Sequence, residues 1–257
     1  MDRWGGKMII TLTTDIGWEY AAEMKGVIYS INPRAKIVDV SHDIMPQNIM
    51  QGAFVIYSIV PYFKKAIHIA VVDPGVGTER KAIAIKCKDT WFVGPDNGIF
   101  YPAAARLAAA RLGIQKAYQL SVGKASPVFH GRDVFAPAAA LLSLNKKPKW
   151  KEIGVDEIKK LDFGKAERRG SKVIARVLFI DRFGNIITNA DLKAEEMEVK
   201  IKDRQKKIRR VKSYGYAEKG EIVAVESSGG FLEIAMREGN AASFFNAKEG
   251  DIIEIFF

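Results

Sequence analysis

Ile67-His68-Ile69-Ala70-Val71-Val72-Asp73-Pro74-Gly75-Val76-Gly77-Thr78-Glu79-Arg80 decides how the rest of the chain is read. Its first six residues form an almost unbroken apolar run, as expected of a strand buried on both faces. The run stops on a carboxylate and enters a loop holding one proline and two glycines. In open α/β sheets ligands collect at the carboxyl ends of strands. Asp73 and Arg80 stand at the two ends of this loop, so folding it back lets an acid meet a guanidinium. A tight turn carrying a surface ion pair accounts for the same residues.

Working outward, Met8 to Asp15 repeats the pattern: a buried strand ending on a carboxylate. Glu19 to Ile31 carries apolar residues at helical spacing, and Asn32-Pro33 closes it. A short strand over Lys36 to Ser41 leads to His42-Asp43-Ile44, and Asn48 to Tyr62 reads as a second helix. Beyond the opening stretch come strands over Lys81 to Cys87 and Thr90 to Gly94, then the turn residues Pro95-Asp96-Asn97-Gly98. A helix is expected over Phe100 to Leu112 and a strand over Ala117 to Ser121. Phe129-His130-Gly131-Arg132-Asp133 enters an apolar stretch that Pro137 either delays or kinks. The alternation predicts an α/β domain with a largely parallel central sheet. From Trp150 to Gly170 the pattern weakens into mixed, charged sequence. After Ser171 the helical period vanishes, and seven strands separated by turn residues predict a smaller all-β, barrel-like domain. The expected division is 1–160 and 172–257, with a linker over 161–171.

The bulk properties bound the function. The 257 residues are 48% hydrophobic and 27% charged, an ordinary globular composition. No run of 18 or more apolar residues exists, so no membrane span is predicted. Met1–Lys7 has no apolar signal-peptide core, and Cys87 is the sole cysteine, so a cytoplasmic setting is expected. A net charge of +10 invites a nucleic-acid reading, centred on the basic run at 200–212. A solvated strand pair with a basic outer face explains that run better, and carboxylates at Asp15, Asp73 and Asp96 would repel phosphates.

Three histidines, His42, His68 and His130, lie far apart, with no HxH or HExxH spacing, so no metal site is predicted. His68 sits in an apolar strand and reads as a packed histidine. His130, beside an Arg-Asp pair, is the candidate for proton chemistry, with a loop histidine bonded to backbone as the alternative. GxSxG, Walker A and GxGxxG are all missing. In the second domain, Asp181-Arg182-Phe183-Gly184-Asn185 reads either as a hairpin turn or as a ring-stacking and edge-bonding site. Ser227-Ser228-Gly229-Gly230 either joins two strands or cradles a carboxylate.

Together these segments resemble the S-adenosylmethionine hydroxide adenosyltransferases, the water-using relatives of the fluorinases and chlorinases. The resemblance rests on Thr13-Thr14-Asp15, His42-Asp43-Ile44, Val71 to Thr78, Gly94 to Gly98 and Phe129 to Asp133. It extends through Asp181 to Asn185, Ser227-Ser228-Gly229 and Leu232-Glu233-Ile234-Ala235. It implies an enzyme that hydrolyses S-adenosylmethionine, its substrate, to adenosine and methionine by attack at ribose C5′, with no cofactor. It also implies a homotrimer whose sites lie at subunit interfaces, and no nucleic-acid or membrane partner. Asp73, Arg80 and His130 match the set that holds and activates water, with either Asp73 or His130 as base. Asp15 matches the ribose acid, Phe183, Asn185 and Tyr216 the adenine contacts, Asp181 the ammonium partner, and Ser227 and Ser228 the carboxylate region. Only Arg182 separates Asp181 from Phe183, whereas the halogenating relatives have a longer stretch there.

Overall fold

The computed structural model describes residues 8–63, 65–109 and 113–257. Met1–Lys7 and the end of the helix expected over Phe100–Leu112 lie outside them. The chain divides into two compact units, the first ending at Asp162 and the second spanning Phe163–Phe257. Among the described residues no helix is long and apolar enough to cross a membrane.

The first unit runs β1 (Ile9–Thr14), α1 (Gly17–Ile31), β2 (Lys36–Ser41), α2 (Ile49–Ile59), β3 (Ala66–Val71), β4 (Ala82–Cys87), β5 (Thr90–Pro95), α3 (Tyr101–Ala109), β6 (Lys116–Leu120), α4 (Ala136–Ser143) and β7 (Trp150–Ile153). Its sheet order is β2-β1-β3-β5-β4-β6-β7. The first four strands run parallel and form the expected α/β arrangement, and β4, β6 and β7 extend it antiparallel. All six residues of β3 are buried, which is why its sequence shows no alternation. Ala21, Met24 and Ile28 of α1 are buried at helical spacing and join a core with Ile10, Leu12, Ile67 and Ile69.

One local reading needs correction, and at Pro137 the structure takes the late-starting helix. Trp150–Ile153, read as part of a weakly patterned stretch, is a strand at the sheet edge. Trp150 stacks on Tyr118 at 4.1 Å between ring centroids, and the exposed Lys151 and Glu152 are the charges an edge strand carries. Near Pro137, residues Gly131–Phe135 form a π-helical turn before α4 begins. Proline has no N–H to return to the preceding turn, so it is accommodated in the first turn of α4.

Strand register brings the site loops to one edge. Thr14 pairs with Val71, Thr13 with Ser41, and Ile69 with Val93. Asp15, His42, Asp73 and Asp96 therefore all leave the sheet from its carboxyl edge, where a parallel sheet binds ligands.

The second unit runs β8 (Glu167–Arg169), β9 (Lys172–Ile180), β10 (Ile186–Thr188), β11 (Glu196–Ile201), β12 (Arg204–Arg210), β13 (Ile222–Glu226), β14 (Leu232–Met236), α5 (Ala241–Phe245) and β15 (Ile252–Phe256). Strands β10-β14-β13-β12-β11-β15-β9 are joined in that order, and β9 pairs back with β10. The seven expected strands thus close into a barrel, with β8 added beside β9. Closure leaves few unpaired edges. Val199, Ile201, Ile234, Ile253 and Ile255 fill the interior, and Phe245 of α5 packs among them.

The basic run forms the β11–β12 hairpin. Its register sets Glu196 opposite Arg209 and Glu198 opposite Lys207, and Lys202 pairs with Asp251 and Arg209 with Glu221, so part of its positive charge is matched. That is the solvated strand pair, and the nucleic-acid reading gains nothing from it. Parallel pairing of β12 with β13 demands a crossover, which residues 211–221 supply. Val211 and Ala217 pack on Val223 and Val225 on the outside of the barrel, and the crossover carries Tyr214 and Tyr216.

Candidate active site

The loop Asp73–Arg80 is folded by its own hydrogen bonds. The N–H of Val76 donates to Asp73 O at 3.2 Å, and the Thr78 hydroxyl donates to Gly75 O at 2.7 Å. Gly77 adopts φ +77°, and a Cβ there would lie 2.4 Å from the carbonyl oxygen of Pro127. Glycine is thus what lets this loop touch the segment leading to His130.

Folding back brings Arg80 onto Asp73. Arg80 Nε donates to Asp73 Oδ1 at 3.1 Å, and Nη2 donates to Asp73 Oδ2. The same Nη2 donates to His130 Nδ1 at 3.1 Å, and Nη1 donates to Lys81 O at 3.2 Å. Both side chains of the Asp73–Arg80 pair are only 5% exposed, and the Arg80 guanidinium lies 5.6 Å from the buried Phe135 ring centre. In such surroundings a bidentate pair is held firmly, and losing one partner costs about 3–5 kcal/mol. An arginine has only donors, so Nδ1 of His130 is the acceptor, and the neutral ring carries its hydrogen on Nε2. Burial and then the Arg80 charge hold the His130 pKa below its ordinary value, outweighing the pull of Asp73 and Asp133.

Asp15 faces the same space. Its Oδ2 accepts the backbone N–H of Gln47 at 2.8 Å. Burial pushes its pKa up, and the nearby Asp73 charge adds to the rise. A cavity of about 350 Å³ is lined by Asp15, Gln47, Asp73, Phe129 and His130. The structure therefore collects the acid, the guanidinium, the histidine and the second acid at one place. Behind Asp15, the Thr14 hydroxyl donates to His42 Nδ1 at 2.9 Å, and His42 Nε2 donates to Asp39 at 2.9 Å. His42 thereby ties the ends of β1 and β2 together. Asp96 and Asn97 are spent on backbone instead: Asp96 accepts from Lys159 N at 2.8 Å, and Asn97 Nδ2 donates to Val72 O at 2.8 Å. His68 is a packed histidine, bonded to Thr11 at 2.7 Å and stacked on Phe92, with burial lowering its pKa to about 3.

The second unit holds the remaining residues in two turns. Asp181, Phe183 and Asn185 share the β9–β10 turn, where Asp181 accepts three hydrogen bonds from the turn itself. Ser227 and Ser228 lie in the β13–β14 turn, where Ser227 Oγ accepts the N–H of Phe231 at 3.1 Å. Ile186 pairs with Ile234, and the Thr188 hydroxyl donates to Leu232 O. The two turns therefore stand at opposite ends of the β10–β14 ladder, roughly 10 Å apart at about 3.3 Å per residue. Phe183 and Tyr216 are exposed rings.

Between the turns lies a residue that sequence reading left without a role. Glu233 is buried, Tyr214 donates its hydroxyl to it at 2.5 Å, and burial together with the Asp181 charge raises its pKa. Its only sequence signal was a carboxylate among Leu232, Ile234 and Ala235, which does not say which face it takes. Among the described residues no group of three or more His, Cys, Asp or Glu side chains is arranged to hold a metal ion.

Comparison with known proteins fits this geometry. A protein of Methanocaldococcus jannaschii named (R)-S-adenosyl-L-methionine hydrolase is 41% identical over 271 residues, covering 97% of this chain and 96% of its own. A fluorinase of an Actinoplanes species is 26% identical over 72% of each chain. The crystal structure of an uncharacterized conserved protein from Thermotoga maritima superposes with a TM-score of 0.87 at 32% identity, covering 97% of this chain and 100% of that one. The family model of the SAM hydroxide adenosyltransferase N-terminal domain matches residues 10–154, and that of the C-terminal domain matches residues 175–254. With both domain models matched in order over most of its length, the chain belongs to the SAM hydroxide adenosyltransferase family.

Proposed function

We propose that this protein hydrolyses S-adenosylmethionine to adenosine and methionine, without a metal or other cofactor. The observation that carries the reading is the Arg80 side chain bonded at once to Asp73 and His130 beside the cavity that Asp15 lines. In the reaction a water oxygen bonds to ribose C5′, and the C5′–S bond breaks with its electron pair going to sulfur. The leaving thioether is neutral and needs no acid. The water proton must go elsewhere, because bulk water, with a pKa of about 15.7, is a poor source of hydroxide.

Arg80 favours one of the two candidate bases. Its donation to His130 Nδ1 occupies that lone pair and leaves Nε2–H as a donor, suited to holding the oxygen of the attacking water. Asp73 keeps lone pairs beyond those used by Arg80, so Asp73 takes the proton. Attack on a sulfonium removes separated charge, and a water-poor site favours that change. Asp15 accepts the ribose hydroxyls. Phe183 and Tyr216 cover the adenine faces, and Asn185 bonds its edge. Ser227 and Ser228 hold the methionine carboxylate. Asp181, with one acceptor position left beyond its three bonds, adds its charge to hold the ammonium.

In this reading residues 1–160 bind and catalyse, 161–171 link, and 172–257 add adenine and methionine contacts. The active form is a homotrimer, in which the first unit of one subunit and the second unit of a neighbour hold one substrate. The names of the curated relatives specify the (R) epimer at sulfur, and we extend that preference to this protein. The test is incubation with each sulfonium epimer in EDTA-treated buffer, followed by chromatography. Adenosine and methionine in equal amounts, formed faster from the (R) epimer, are expected; intact substrate sinks the proposal.

A further inference from the structure

Asp181 is the hub of the β9–β10 turn. Its Oδ1 accepts the backbone N–H groups of Phe183 and Asn185, each at 2.9 Å, and its Oδ2 accepts the side-chain Nδ2 of Asn185 at 2.9 Å. The backbone closes the same turn, with Gly184 N donating to Asp181 O at 2.9 Å and Asp181 N donating to Asn185 O at 3.1 Å. Gly184 adopts φ +81°, and a Cβ there would strike the Asn240 side chain, so the turn has little room to move.

An ionised carboxylate offers only acceptors, so the end of the Asn185 amide that faces Asp181 is the nitrogen. The amide cannot flip without placing oxygen against oxygen. Asn185 is only 7% exposed, yet no donor among the described residues reaches its Oδ1. Among the described residues that oxygen is not one of the buried unpartnered atoms, so it opens to the surface and is free to accept from a ligand. Phe183, two residues away and exposed, supplies a flat apolar surface beside it.

We propose that Asp181 is a positioning residue that locks the Asn185 amide with its oxygen outward, and that the turn thereby selects purines bearing a 6-amino group over those bearing a 6-oxo group. The proposal rests on the reading above that this turn holds the base. A 6-amino group donates a hydrogen to Oδ1, whereas a 6-oxo group sets two acceptors against each other. Sites built around one hydrogen-bond pattern reject its inverse strongly, because their own polar groups are left unmet.

Adenosine, purine riboside and inosine carry an amino group, a hydrogen and an oxygen at that position, and none carries the methionine arm. Calorimetric titration of the whole protein with each nucleoside therefore isolates the turn from contacts to the ammonium. The unmodified protein should bind adenosine roughly 10²-fold more tightly than inosine, with purine riboside between them. Purine riboside binding as tightly as adenosine overturns the proposal with no mutation needed. Asp181→Asn is the sharper probe. Its Oδ1 still accepts both backbone N–H groups, but its amide nitrogen now donates to Asn185 and turns that amide over. Inosine should then bind at least as tightly as adenosine. A merely structural role for Asp181 would weaken both nucleosides by one factor, and an unchanged ratio overturns the proposal. Asn185→Ala separates the two levels of the argument. It should weaken adenosine and bring the ratio towards one; unchanged adenosine binding would instead remove the base-site reading itself.

Discussion

The Asp73–Arg80–His130 cluster and the exposed rings of Phe183 and Tyr216 differ most in how they meet water. In the first the charged groups are covered and bonded to one another before any substrate arrives. In the second, two aromatic rings stand open, 68% and 66% exposed. Groups that stabilise a reaction act best when already fixed and shielded, since screening and reorganisation then cost least. Groups that recognise a flat ring gain by being open, because the ligand itself removes their apolar surface from water. We propose that rate belongs to the first unit and affinity to the second, and kinetics can break that division.

The largest effect should come from the covered cluster. Asp73→Asn keeps the size of the side chain but loses proton affinity and one of its two bonds to Arg80, and His130→Ala removes the Nε2–H. Each should lower kcat by roughly 10²–10⁴-fold with little change in substrate dissociation constant. Normal turnover in Asp73→Asn would end the assignment of this loop to water activation. Excess chloride should yield no chlorinated nucleoside from the unmodified protein, since a fixed carboxylate repels halide; accumulation of that product would count equally against Asp73.

Next in size is the opposite pattern. Phe183→Ala should raise the dissociation constant roughly 10-fold or more while kcat at saturation changes little, because stacking is lost and the reacting groups are untouched. A loss confined to kcat would erase the division between the units. Mixing subunits tests the same division across chains. Asp73→Ala and Asn185→Ala proteins refolded together in equal amounts should regain about a quarter of the intact sites, as random assortment around a closed ring dictates. No recovery at sub-saturating substrate would argue that each chain builds its site alone.

A smaller effect concerns pH. Burial and Arg80 lower the His130 pKa, so activity should hold steady as pH falls through the ordinary histidine value of about 6.5. Replacing Arg80 by Met removes a cation and leaves Asp73 nearby, so the His130 ring signals in an NMR titration should shift to higher pKa. A lower or unmoved value would mean that the Arg80 charge does not hold the His130 pKa down. His68 is the internal control. Its folded pKa of about 3 lies below the unfolded value of about 6.5, so the unfolded chain binds the extra proton between them. Stability should therefore fall as pH drops through that window, and His68→Leu should flatten the fall without moving the pH profile of kcat.

The amino-acid order alone determined which segments are strands and helices wherever burial is regular. The nearly unbroken apolar run of β3 and the alternating strands after Ser171 could be read directly, because side-chain period follows backbone geometry. It also determined the family, through short segments spread over both units. Irregular burial hid the rest. Trp150–Ile153 looks charged because an edge strand shows half its residues to solvent, and its partner Tyr118 lies far away in sequence. The uses of the chemical groups were hidden further still. Arg80 and His130 are 50 residues apart, and the close approach of Gly77 to Pro127 lets their loops come together. The tautomer of His130, the commitment of Asp181 to Asn185 and the burial of Glu233 are set by which atom meets which across a turn or a ladder. Those are distances of about 3 Å in three dimensions, and a linear pattern of residue types does not contain them.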